Sequence, residues 1–107
     1  MNVRWATDYK AKAASEKHFM GAFNAEEMAA IVKLLLKKAS LVGRSDRANP
    51  GYIPATIVWA ENEGTTFCII LDTADLKKDI ATVVSFYDIV PSQYEQKAKR
   101  FNMKGIK

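Results

Sequence analysis

Apolar residues recur over residues 25–39 as Met28, Ile31, Val32, Leu35, Leu36 and Ala39, the i, i+3, i+4 spacing that turns one face of a helix into a core. Asn24 stands where its side chain can accept from the free amides of a first turn, and Glu27 occupies the capping-box position three residues on. Lys33, Lys37 and Lys38 lie toward the C-terminal end, where positive charge complements the helix dipole. The pattern predicts an amphipathic helix over 25–39. Upstream, Trp5, Tyr9 and Ala13 are spaced four apart in a stretch of Ala, Lys, Glu and Ser, which predicts a short helix over 8–17 with one weak apolar stripe.

Downstream the period falls to two. Ile53, Ala55, Ile57 and Trp59 alternate along a strand predicted over 52–60, and Pro54 near its start argues for an edge or a bulge there. Glu61-Asn62-Glu63-Gly64 reads as a hairpin connection to a partner strand over 65–71. Residues 72–79 form a charged connector. Residues 80–90 are β-branched and aromatic on both faces, as a strand in the middle of a sheet requires. Residues 40–51, with Gly43 and Asn49-Pro50-Gly51, read as a loop. Pro91 and Ser92 open a short basic helix over 93–101, and 102–107 reads as a fraying tail. The order is that of an α+β fold: one or two N-terminal helices packed on one face of an antiparallel β-meander, followed by a short basic C-terminal helix or tail.

Composition narrows the class. A chain of 107 residues with 49% apolar and 26% charged side chains is a single globular domain over 1–107, with its core in about 15–90 and a basic segment in 91–107. The longest apolar run, 67–71, is far too short to cross a bilayer, so no membrane span is expected, and the first residues lack the apolar stretch of a signal peptide. The single cysteine, Cys68, excludes an internal disulfide and reads as a core thiol. A net charge of +4 permits an anionic partner without requiring one.

Candidate chemistry centres on His18, the one histidine and the one side chain whose ordinary pKa lies near neutrality. With one His and one Cys no metal-ligand spacing exists, and glycine loops for phosphate and the nucleophile-elbow motif are missing. No metal or other cofactor is therefore expected. The residue types that remain suit metal-independent work on a polyanion. RNA cleavage requires deprotonation of a 2′-OH, protonation of the 5′-oxygen and stabilisation of charge on phosphorus. Ser85 and Tyr87 share one strand face by the period of two, Val84 and Phe86 the other, so a hydroxyl and a phenol stand side by side. Each of these residues also has a plain structural role, His18 beside Phe19 and Tyr87 as a half-buried aromatic.

Lys17-His18 ahead of the core helix and Val84-Ser85-Phe86-Tyr87 in the last strand give a layout, over about residues 15–90, that resembles the barnase/EndoU/colicin/RelE superfamily of small ribonucleases. That superfamily includes toxin domains at the C-termini of contact-dependent inhibition and other polymorphic toxin proteins. The resemblance implies an endoribonuclease toxin acting on tRNA or another structured RNA. It would work in the cytoplasm of a target cell after delivery within a larger secreted protein, and an acidic immunity or antitoxin protein would neutralise it. It implies His18 as general base or acid, Lys17 as stabiliser of phosphate charge, Ser85 and Tyr87 as positioning groups, and Arg44, Arg47, Lys97 and Arg100 as substrate-binding cations. The final strand carries Ser where Thr is more familiar, and in place of a second His the remaining proton transfer falls to Lys17, Arg44, Arg47 or Tyr87. Two other readings stand beside this one. One is a non-enzymatic interaction module such as an immunity protein, antitoxin or phage inhibitor; the other is a nucleic-acid-binding domain using Arg44, Arg47, Lys97, Lys99 and Arg100 on phosphates.

Overall fold

A computed structural model describes residues 1–45 and 54–105. The elements run β1 (Asn2–Trp5), α1 (Asp8–Phe19), α2 (Ala25–Lys37), β2 (Ala39–Ser45), β3 (Ala55–Asn62), β4 (Thr65–Asp72), α3 (Thr73–Leu76), β5 (Ile80–Ile89), a 3-10 turn (Pro91–Gln93), α4 (Tyr94–Arg100) and β6 (Lys104–Gly105). The fold is α+β: helices ahead of a six-stranded sheet ordered β1-β5-β4-β3-β2-β6. The meander β2 to β5 is antiparallel, and β6 adds antiparallel to β2. Strand β1 pairs parallel to β5, with Asn2 opposite Ile80 and Trp5 opposite Val83.

The helix predicted over 25–39 forms with both halves of its capping box: Glu27 N–H donates to Asn24 Oδ1 (2.8 Å) and Asn24 N–H to Glu27 Oε1 (3.1 Å). It ends at Lys37, so Ala39 already belongs to β2. Its buried residues Met28, Val32 and Leu35 meet Val58, Ala60, Phe67, Ile69, Leu71, Ala81 and Val83 of the sheet through Val32 and Leu35, and Ala11 and Ala14 of α1 through Met28. Each such large side chain withdrawn from water contributes about 1.5–3 kcal/mol before entropy is counted. In α1 the buried face is Ala11, Ala14 and Ser15, and Tyr9 of the expected stripe is 80% exposed.

Four expectations are corrected. Residues 39–45 are strand, because an edge for β3 is supplied there despite Gly43; residues 46–51 of the expected loop lie outside the described residues. Strand β3 is consequently interior, flanked by β4 and β2, and Pro54 stands just before it, its carbonyl accepting from Thr73 N–H at 3.1 Å. Helices cover both faces of the sheet. Residues Tyr94, Ala98 and Phe101 pack on Ala55, Ile57, Trp59, Cys68 and Ile89, the face opposite α1 and α2. Part of the tail expected to fray is paired: Lys104 and Gly105 lie opposite Val42 and Leu41, and residues 106–107 lie outside the described residues.

Glu63 and Gly64 turn the β3–β4 hairpin with positive φ (52° and 83°), the two-residue geometry that matches strand twist. None of the described helices is long and apolar enough to cross a membrane.

Candidate functional site around His18

Helix α1 carries His18 in its last turn. Thr7 caps its start by accepting from Lys10 N–H, and Met20 (φ 55°) and Gly21 (φ 71°) reverse the chain after it. Ser15, 1% exposed, fixes that reversal: its carbonyl accepts from Gly21 N–H (2.9 Å) and its hydroxyl from Phe23 N–H (3.1 Å). The imidazole is thereby laid against the sheet. Its centroid lies 5.5 Å from Phe67 at 89° and 5.5 Å from Phe86 at 74°, edge to face with both, while those two phenyl rings stack at 5.0 Å.

This packing sets the electrostatics. Desolvation holds the His18 imidazole below its ordinary pKa; Asp88 opposes the shift and Lys17 adds to it. The ring is therefore neutral at pH 7, and its Nε2 is buried with no hydrogen-bond partner among the described residues.

A pocket of about 190 Å³ opens beside the ring, between α1 and β5. Lys17, His18, Ser85, Phe86, Lys10 and Trp5 border it. The Lys10 ammonium donates to the Val84 carbonyl on the stretch of β5 that β1 does not cover. Trp5 Nε1, like His18 Nε2, is buried without a partner among the described residues. Lys10, Lys17, Trp5 and a neutral His18 thus border one small concavity.

The other expected residues go elsewhere. Tyr87 lies opposite Cys68 on the face that α4 covers, away from His18, whereas Ser85 lies opposite Ile70, beside the register shift between Ile70 and Leu71, and borders the His18 pocket. Burial raises the Tyr87 phenol far above its usual pKa, and the Cys68 thiol beside it adds to the shift. Lys97 lies 5.1 Å over the Tyr87 ring and Arg100 5.4 Å over Phe101, so both expected cations belong to that opposite face. Arg44 borders a separate pocket with Lys77 and Lys104. Arg47 lies outside the described residues.

Trp5, Lys10 and Asp88 were not among the expected site residues. A signal for the first existed: Trp5, Tyr9, Ala13 and Lys17 continue one spacing of four, and all four border the pocket, whereas Lys10 lies off that spacing. Among the described residues no group of three or more His, Cys, Asp or Glu side chains is placed to hold a metal ion. Compared with models of protein families, with curated proteins and with solved structures, the chain matches none.

Proposed function

We propose that this domain cleaves RNA without a metal ion, at the pocket between α1 and β5. The observation that carries the reading is the neutral His18 imidazole bordering one pocket with the Lys17 and Lys10 side chains. The His18 imidazole takes the proton of the 2′-OH; the resulting oxygen attacks phosphorus, a 2′,3′-cyclic phosphate forms and the 5′-oxygen leaves with a proton from Lys17 or water. Lys17 and Lys10 offset the charge that builds on the phosphoryl oxygens. Tyr87 takes no part, because it faces the other side of the sheet. The substrate class is tRNA or another structured RNA, and the formal charge of +4 suits neutralisation by an acidic immunity or antitoxin protein.

A second reading, the interaction module that binds a protein partner, is favoured by one observation: His18 is packed edge-on among Phe19, Phe67 and Phe86 as a core aromatic would be. One assay separates them. Purified wild type, His18→Gln and Lys17→Ala are incubated with total RNA in EDTA, with circular dichroism as the check on folding. Cleavage by wild type, lost in His18→Gln and weakened in Lys17→Ala, is expected; no cleavage by folded wild type overturns the enzyme and leaves the module.

A further inference from the structure

We propose that the pocket between β2, β3, α3 and β6 binds the phosphate group of a nucleotide-sized ligand. It lies apart from the His18 pocket and shares no residue with it. Its volume is about 470 Å³, within the roughly 300–1,000 Å³ typical of small-molecule sites.

The sheet register assembles it. Arg44 lies opposite Thr56, and Lys104 lies opposite Val42, itself opposite Val58, so these residues share one sheet face. Lys77, at the C-terminal cap of α3, closes the third side. Three cations from three separate elements therefore converge, and no carboxylate borders the pocket among the described residues. Asp72 and Asp75, the acidic groups on either side of Thr73, are already engaged, and Asp46 lies outside the described residues. Asp72 Oδ1 accepts from Ala74 N–H and Asp75 N–H, and Asp75 Oδ2 accepts from Thr82 Oγ1 (2.7 Å) and Arg4 (3.3 Å). Arg44, Lys77 and Lys104 make no ion pair among the described residues.

A second feature points to an acceptor-bearing ligand. The hydroxyls of Thr56 and Thr73, both bordering the pocket, are 2.8 Å apart. A hydroxyl pair consumes one of its two protons internally. The other has no acceptor among the described residues, and a phosphate oxygen between Arg44 and Lys77 supplies one. Guanidinium, ammonium and hydroxyl donors together are the set that recognises phosphate. Val42 provides the apolar wall for the rest of the ligand.

The chemistry is shared by a free nucleotide and by the terminal phosphate of an RNA chain, and the test separates them. Titrations of ¹⁵N-labelled full-length protein with ADP, with inorganic pyrophosphate, and with a 5′-phosphorylated and a 5′-hydroxyl RNA oligonucleotide are followed by amide shifts. Wild type, the exposed double variant Lys77→Ala/Lys104→Ala, and Lys77→Arg/Lys104→Arg are compared. Saturable shifts at Val42, Gly43, Thr56 and Thr73 are expected, with affinity at least about tenfold weaker in the alanine variant and kept in the arginine variant. Preference for ADP identifies a free nucleotide, and preference for the phosphorylated over the hydroxyl oligonucleotide identifies an RNA end. No saturable shift with any phosphate probe, equal binding by the alanine variant, or shifts confined to Lys17, His18 and Ser85 overturns the proposal. His18→Gln, which abolishes cleavage in the reading above, leaves this binding unchanged, so the two stand or fall separately.

Discussion

Phe86 and Tyr87 are neighbours in β5 and serve opposite faces of the sheet. Phe86 pairs with Ile69 and meets the His18 ring at 5.5 Å, whereas Tyr87 pairs with Cys68 and carries Lys97 over its ring at 5.1 Å. The strand's period of two thus sets Tyr87 apart from His18 and Lys17, with a layer of backbone between them.

Tyr87→Phe is accordingly expected to leave RNA cleavage within about twofold of wild type, while urea unfolding shows a loss of about 1 kcal/mol from the buried hydroxyl. A drop of tenfold or more in a folded variant would place the phenol in the chemistry after all.

The His18 imidazole, desolvated by its aromatic neighbours, has a lower pKa in the folded chain than in the unfolded one. The unfolded state then binds more protons below the ordinary value of 6.5, so stability is complete above that pH and declines as pH falls through it. The thermal midpoint of wild type should fall between pH 7.5 and pH 5, and that of His18→Phe should fall less. By the same sign, the acid limb of the pH–rate profile for RNA cleavage should lie below 6.5, since His18 stays neutral there.

Ser15→Ala removes the acceptor for Phe23 N–H in a site that is 1% exposed. An amide left without a partner there costs about 1–3 kcal/mol. Urea denaturation should register that loss. Because the same turn lays His18 on the sheet, the ring-current shifts of the His18 protons should move as well.

Gly43 has no room for a side chain. A Cβ there would run into Met103 Sδ and the Phe101 carbonyl, the latter also accepting from Arg44 N–H at 3.0 Å. Gly43→Ala should destabilise by about 1–3 kcal/mol in denaturant. It should also increase amide exchange at Lys104 and Gly105, because β6 is what must move.

Much of this architecture is legible in the chain because its causes are local. Asn24, Glu27 and the apolar spacing from Met28 to Leu35 act within one helix, and Glu63-Gly64 acts within one hairpin. What escapes is decided at long range. Strand β1 is four residues whose partner lies at the other end of the chain, and β2 contains Gly43, which resembles loop chemistry and is required instead by the later arrival of Met103. The grouping of Tyr87 with His18 was undone on the same ground. Alternation predicts that Ser85 and Tyr87 share a face, but which face α1 covers is set by the packing of Met28 on Ala11 and Ala14 and of α2 on the sheet. The spacing of Trp5, Tyr9, Ala13 and Lys17, by contrast, was a local signal of the pocket wall.

The parallel pairing of β1 with β5 joins Asn2 to Ile80, so the first strand to be synthesised waits 78 residues for its partner. Contacts of such separation close late. Until Phe67 and Phe86 have emerged, α1 holds His18 with no wall behind it, whatever the state of the helix itself. The pocket beside His18 therefore comes into being only once β5 has joined the sheet.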